Sequence, residues 1–406
     1  MTGTMKTSIK AALLAVAASA ALVACGGGGD GAVAPAPSPG SGTLRVALTD
    51  APNCRVGNSD LDKVFVTVER VRVHQSSDAE PSTGGWTDID ISPARKINLL
   101  DLTNGRLEEL GTTPIAAGNY TQVRLVLRAN QGTVPANSLV LAGKTVEIPL
   151  RTPSAAQSGL KIIRPFTVQP NTLVDLVIDF DACRSIVALG NGGYSLKPVL
   201  TATLKLVAEI RGFVDSALTN VTVSAQQNGD VVRSTVPSSS GEFVLAYLDP
   251  TQSYDVVITS PTRGTSVVRA VTFTPTDTIA ELTLPGATIP LPTAGAPASR
   301  LASGTLGPIP ARLTGVVRAL QVVGIVAKVE IATDNVNETD GTYSLTLPTA
   351  VPSLATYSAL PLTFAPAASP SPAYTLEASA AGYTTQTNNI GAGTAPAPWD
   401  VNLIAP

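Results

Sequence analysis

The side chains best suited to chemistry are acids set two or four apart. Asp175, Asp179 and Asp181 alternate with Val174, Leu176, Ile178 and Phe180. In a strand, alternate residues share a face, so the three carboxylates line one side and the apolar row the other. Asp50 joins them if Cys54 and Cys183, which lie beside the two segments, are bridged. Such a set supports three chemistries. Carboxylates with backbone carbonyls could hold Ca2+, making Asp50, Asp179 and Asp181 candidate metal ligands. Two of them could act as the acid pair of a hydrolase. They could also form structural salt bridges to Arg45, Arg124 or Lys161 on neighbouring strands.

Other catalytic arrangements are poorly supplied. His74 is the only histidine and closes a strand pattern, where a solvent-facing side chain is expected. No GxSxG elbow accompanies it, so a Ser-His-Asp triad has little support. Zinc lacks ligands, because structural sites need about four Cys or His. Gly143-Lys144-Thr145 imitates the end of a phosphate loop, but Ser138 replaces the leading Gly and a strand pattern follows it. No catalytic residue is assigned and the expectation is a protein that is not an enzyme.

The elements that must position these acids are strands. Val64, Val66 and Val68 alternate, then the apolar parity slips and resumes at Val71 and Val73. A slip by one residue means a β-bulge near Glu69-Arg70 or a break between strands. Leu44, Val46 and Leu48 form another row, as do Val123, Leu125 and Leu127. A helical turn is expected within Leu99–Leu110. Aromatic residues are only 4% while Gly and Pro number 34 and 32, a composition of short strands punctuated by turns. Charged residues make up 14% and hydrophobic ones 44%, enough apolar material for packed cores. The predicted class is all-β, with a β-sandwich N-terminal domain and two smaller sandwiches after it.

The chain opens with Lys6 and Lys10, then an apolar run from Ala11 to Ala24. That run is short for a bilayer span, which needs about 20 residues. It ends Leu22-Val23-Ala24-Cys25, which resembles the lipobox of bacterial lipoproteins. The resemblance implies cleavage before Cys25, acyl chains including palmitate on its sulfur and amine, and attachment to a lipid bilayer. Gly26 follows the cysteine, where Asp would favour inner-membrane retention, so the outer membrane is expected. Residues 25–42 then form a Gly/Pro tether with no apolar periodicity. Without the leader the net charge moves from -3 to near -5, a poor balance for binding nucleic acid. An exported chain meets an oxidising compartment, where Cys54 and Cys183 could pair or stay as separate buried thiols.

Phrases between residues 43 and 207 carry a second resemblance: TDAP at Thr49–Pro52, INLLDLTNG at Ile97–Gly105, AGNYTQVRLVL at Ala117–Leu127, DFDAC at Asp179–Cys183 and YSLKPVL at Tyr194–Leu200. Together they resemble the domain of unknown function DUF4382, which implies no established activity. After it, one pattern occurs twice. Ile210–Val214, Val221–Ala225, Ser240–Leu245 and Ser253–Val257 are matched by Leu313–Val317, Val329–Ala332, Asp340–Leu345 and Tyr374–Ala378. A Gly turn precedes an aromatic-x-aliphatic strand, and a Tyr opens the next. This resembles the carboxypeptidase-regulatory-like module, a transthyretin-like or Ig-like sandwich without catalytic residues of its own.

The expected organisation is a signal peptide over 1–24, the lipidated tether over 25–42, the DUF4382-like domain over 43–207, and sandwiches over 208–290 and 311–406 joined by a Pro/Gly linker at 291–310. Its expected role is binding or scaffolding at the cell envelope, with surface polysaccharide or an envelope protein as partner. The alternatives are a hydrolase centred on the acidic strand and an assembly subunit of an envelope complex.

Overall fold

The computed structural model describes residues 40–406 except 51–54, 57–58, 153–157, 190–191, 207, 275, 294–297, 325–326, 368–372 and 392–394, and omits the side chains of 55, 56, 59, 60, 183 and 327. Cys25 and Cys54, and with them the signal peptide, lipidation and most of the tether, lie outside the described residues, as does the side chain of Cys183.

The protein is all-β, and among the described residues its buried apolar side chains collect into three main cores and a small fourth cluster between the second and third. The first core lies between two sheets. In one, strand Ser41–Asp50 pairs in parallel with Leu173–Asp181 and antiparallel with Glu108–Ala116. The other is built on the long strand Ser59–His74, which pairs with Thr87–Asn98, Gly118–Leu127 and Ser138–Leu141. The parity slip at Glu69-Arg70 is a bulge within this one strand, because the register shifts between Val68 and Arg70 against both neighbours. The helical turn is reduced to a 3-10 turn at Leu99–Asp101, and Glu108–Ala116 is strand. Gly143 and Lys144 sit in a hairpin turn, where the Lys144 N–H bonds the Leu141 carbonyl. Among the described residues no helix is long and apolar enough to cross a membrane.

The second and third cores belong to two small sandwiches of one topology. In the second module Ala208–Phe213 lies between Glu242–Leu248 and Ile279–Glu281. In the third module Ser299–Gly307 lies between Thr342–Pro348 and Val401–Asn402 with the same senses of pairing. The opposing sheets also match: Asp230–Thr235, Thr222–Gln227, Tyr254–Thr259 and Ser266–Val271 correspond to Ala327–Asn335, Val316–Val323, Tyr374–Ser379 and Gln386–Ile390.

This topology corrects the sequence alignment of the repeat. The counterpart of Ile210–Phe213 is not Leu313–Val317 but a strand in the segment expected to be linker. Gly212 pairs with Phe243, and Gly304 pairs with Tyr343, in equivalent positions. The Pro-rich neighbourhood of Ser299–Gly307 hid a strand whose partner on one side, Val401–Asn402, is nearly a hundred residues away.

Candidate functional site

The acids on the Leu173–Asp181 strand do not converge. Arg45 stands directly across the parallel pair from Asp175, and its guanidinium makes two hydrogen bonds to that carboxylate. The Arg45 pair holds the Asp175 carboxyl below the usual range. Asp179 is buried against Arg233 of the second module, Nη1 to Oδ2 2.5 Å, with both side chains almost solvent-free. Asp50 is buried and its Oδ1 accepts the Ala182 N–H at 2.8 Å. Asp181 caps the short helix Ala182–Ser185 by accepting the Arg184 N–H at 2.9 Å. The Ca2+ set Asp50, Asp179 and Asp181 therefore has its carboxylates committed in three directions. Among the described residues no group of three His, Cys, Asp or Glu side chains is placed to hold a metal ion.

His74 is not solvent-facing. Its Nδ1 accepts the Ser76 N–H at 2.9 Å, which leaves Nε2 to donate to the Gly84 carbonyl at 3.0 Å. Both nitrogens are thereby spent on the turn after its own strand, which excludes a triad role for this conformation. The ring packs on Trp86, which also lies over Arg72 and Arg124. Residues 75–86 fold back over the sheet and bury Gln122 and Arg124, which the alternation had placed on an outer face.

What the structure does assemble is a cleft of about 570 Å3 lined by all three modules. Its size is that of ordinary ligand pockets, roughly 300–1,000 Å3. The first module contributes Asp181, Arg184 and Ile186–Ala188. The second contributes the outer face of Thr222–Gln227, and the third contributes Glu330–Asn335 and Thr342–Thr346. Trp86 lies away from the cleft, whose one aromatic lining residue among those described is Tyr343, a buried side chain whose hydroxyl donates to the Trp399 carbonyl at 2.7 Å.

Glu330 is the hub of the cleft. It is 7% exposed, with Arg318 at 3.6 Å and Arg184 of the first module at 3.9 Å. Its backbone is taken by the Gln226 side chain: Nε2 donates to the Glu330 carbonyl at 2.8 Å and Oε1 accepts its N–H at 2.7 Å. Burial pushes the Glu330 carboxyl up, against the pull of Arg184 and Arg318. Burial also raises Asp181 to about 6 although the residue keeps some solvent contact, with Arg184 opposing the shift. Asp334 rises to about 6 for the same reason, opposed by the N–H groups of Ser344 and Asn335. A carboxyl with this value is partly protonated near neutrality and can both donate and accept.

Two further joints close the body around the cleft. Lys197 of the first module donates to the carbonyls of Arg312 and Val336, with Glu338 at 3.6 Å, and Asn337 Nδ2 donates to the Ala188 carbonyl. Asn104 and Gly105, from the INLLDLTNG phrase, dock on the second module. Asn104 Oδ1 accepts from Thr235 Oγ1 and from the Val244 N–H, and Tyr247 donates to the Gly105 carbonyl. Gly105 has φ +74, and a Cβ there would lie 2.9 Å from the Ala246 methyl. None of these cross-module partners was legible as a pair. Lys197 lies in the YSLKPVL phrase and Glu330 in a repeat strand, but no local pattern ties either, or Arg233 and Gln226, to its partner, and only the fold brings them together.

Fold and cleft together define an all-β protein of three sandwich modules sharing one central space. Residues 41–198 match the family model described as "Domain of unknown function (DUF4382)". No curated protein matches the chain. Among solved structures, similarity reaches the Bacillus anthracis TIE protein at 13% identity and TM-score 0.16, covering 90% of this chain and 51% of that one. A streptococcal ancillary pilin follows at 9% identity and TM-score 0.15, covering 90% and 99%. The chain thus spans about half the length of the first of these. At such TM-scores neither likeness bears on fold or function.

Proposed function

We propose that this is a non-enzymatic, lipid-anchored outer-membrane protein in which three β-sandwich modules act as one body for binding or scaffolding at the cell envelope, with the shared cleft as the binding site. One observation carries the reading. The modules are held by buried cross-module polar contacts, Arg233–Asp179 and Gln226–Glu330 among them, rather than strung on open linkers. Burying such groups is unfavourable unless each is paired, so the arrangement specifies one mutual orientation. A fixed orientation preserves a cleft that no single module could form. The anchor is Cys25 after Leu22-Val23-Ala24, and the two repeat modules are of the carboxypeptidase-regulatory-like kind. The same proposal includes a Cys54–Cys183 disulfide, supported by the oxidising compartment that export implies.

The rival reading is a hydrolase. Asp181 and Glu330 favour it, being two acids with raised carboxyls in one cleft. The weight falls on binding because Glu330 is tied by two guanidiniums and Asp181 caps a helix, which leaves neither as a free acid–base pair. Protease shaving of intact cells, with permeabilised cells and a Cys25→Ala strain as controls, tests the placement. Membrane-bound protein that becomes soluble in Cys25→Ala supports the anchor. Protein that stays in the membrane fraction without Cys25 overturns it. Degradation on intact cells places the cleft outside, and protection until permeabilisation turns the search to a periplasmic partner.

A further inference from the structure

The strands that border the cleft in the third module are both at the end of a sheet. Among the described residues, Ala327–Asn335 pairs only with Val316–Val323, and Thr342–Pro348 only with Ser299–Gly307. A terminal strand carries a row of backbone N–H and C=O groups outside any ladder, and natural sheets blunt such rows with Lys, Pro or bulges. Here the protection is partial. Lys328 and a register shift opposite Leu320 guard the start of Ala327–Asn335, and Gln226 covers the Glu330 backbone as a neighbouring strand would. From Ile331 to Asn335 there is no Lys and no Pro.

Glu330 to Asn335 line the cleft without a gap. A strand meets a space residue after residue when its edge borders that space, because a face would present every second one. Thr333 Oγ1 and Asn335 Nδ2 on this stretch are enclosed and have no hydrogen-bond partner among the described residues. The opposite wall is the outer face of Thr222–Gln227, whose short Thr222 and Ser224 side chains leave a slot. Charge selects the occupant. Asp181, Glu330 and Asp334 line the cleft; Arg184 and Arg318 both lie against Glu330, while Asp181 and Asp334 accept backbone N–H groups, which disfavours polyanions and leaves these two carboxylates for cations.

We propose that the cleft captures an extended, basic polypeptide segment, which adds as a strand to the free edge at Ile331–Asn335 and sets Lys or Arg side chains against Asp181 and Asp334. The proposal rests on the cleft being the binding site and names its ligand class. Main-chain hydrogen bonds supply the affinity and the acids the preference, as in other cases of strand addition.

The test is fluorescence anisotropy with full-length protein and three labelled decapeptides: alternating Lys-Val, alternating Glu-Val, and the Lys-Val sequence with two central valines replaced by proline. Lys-Val is expected to bind, with the Glu and Pro peptides at least about tenfold weaker. Thr222→Trp, which fills the slot from a half-exposed position, and Asp334→Asn should each weaken Lys-Val by a similar factor, with unchanged circular dichroism as the folding control. Absence of Lys-Val binding overturns the proposal, as does equal binding of the Pro peptide, which would mean charge attraction without strand pairing. Binding insensitive to Thr222→Trp overturns it as well. A different ligand that is displaced by Thr222→Trp would sink strand addition while leaving the binding reading intact, and failure of the Cys25 anchor would leave this titration unaffected.

Discussion

The second and third modules have the same strand order but treat one connection differently. In the second, residues 249–253 join Glu242–Leu248 to Tyr254–Thr259. Tyr254 closes this loop, its hydroxyl accepting the Asp249 N–H at 3.0 Å. In the third, the equivalent Tyr374 donates to the Pro348 carbonyl at 2.8 Å, closing the loop in a similar way. Between Pro348 and Tyr374, however, the chain leaves the module. Ser353–Thr356 pairs in parallel with Ser266–Val271 of the second module, and Ala365–Pro366 pairs with Ser353–Thr356 in turn. Tyr357, Leu362 and Phe364 from the same excursion pack on the second module's core. The two closures leave the sandwich itself unchanged, so a loop is free to acquire a second task. Here it covers a neighbour's open edge, and its Ala367 and Leu354 pack with Val257 and Val267 of the second module and Val323 and Val329 of the third.

The largest effect should come from making the two connections alike. Replacing residues 349–373 with a loop of the length at 249–253 removes the donated strand and the three side chains on the second core. We expect a loss of about 3–5 kcal/mol and a calorimetric transition that divides in two. The uncovered Ser266–Val271 edge should also promote self-association, visible by sedimentation velocity. A single unchanged transition would mean that the excursion follows the second module's stability rather than supporting it.

A smaller difference separates the equivalent glycines. A Cβ on Gly304 would stand 2.1 Å from the Trp399 carbonyl oxygen and 2.9 Å from its nitrogen, both backbone atoms. On Gly212 it would meet the Phe243 ring at 2.7 Å, a side chain with some freedom to shift. Gly304→Ala should therefore cost about 3 kcal/mol and Gly212→Ala about 1–2 kcal/mol by chemical denaturation. Equal losses would show that the tight approach at Trp399 relaxes.

The same glycines mark where sequence reading reached and where it stopped. Alternation found the strand faces, the parity slip at Glu69-Arg70 (without deciding between a bulge and a break) and the Tyr that opens Tyr254–Thr259 and Tyr374–Ser379, because each is a local consequence of a two-residue period. It missed Ser299–Gly307, whose apolar positions are few and whose neighbours are prolines. Pro348–Pro372 separates two of the matched strand patterns, and nothing local in it announces that it serves another module. The acidic face was legible as a face, but the partners of its members were not. Asp175 has its arginine on the adjacent strand, within reach of pattern reasoning. Asp179 has its own in a different module, and nothing local in Val231–Thr235 announces it. The cleft was invisible for the same reason: each wall is an ordinary strand, and only the mutual orientation of three modules makes a site of them.

The finest distinction between the two modules is electrostatic. Asp334, on the third module's cleft edge, is half-buried and raised to about 6, chiefly by desolvation. A folded-state value above the unfolded one means the native protein binds the proton more tightly. Stability contributed through this group then rises as pH falls through about 6 and is complete below the unfolded value near 3.8. Asp181 adds to the rise with the same sign. Carboxyls with lowered values, such as Asp175 and Asp340, oppose it only at lower pH, where their paired charged forms are lost. Thermal stability should therefore increase between pH 7.5 and pH 5. Asp334→Asn keeps an oxygen for the Ser344 N–H, bonded at 2.8 Å, and removes the charge. It should stabilise the protein at pH 7.5 by roughly 1–3 kcal/mol and by about half as much at pH 5, flattening the pH profile, with the difference vanishing only below the unfolded value near 3.8. A variant less stable than the parent at pH 7.5 would mean that the Asp334 charge is held by a favourable contact, and that the cleft edge is not desolvated in the way its burial implies.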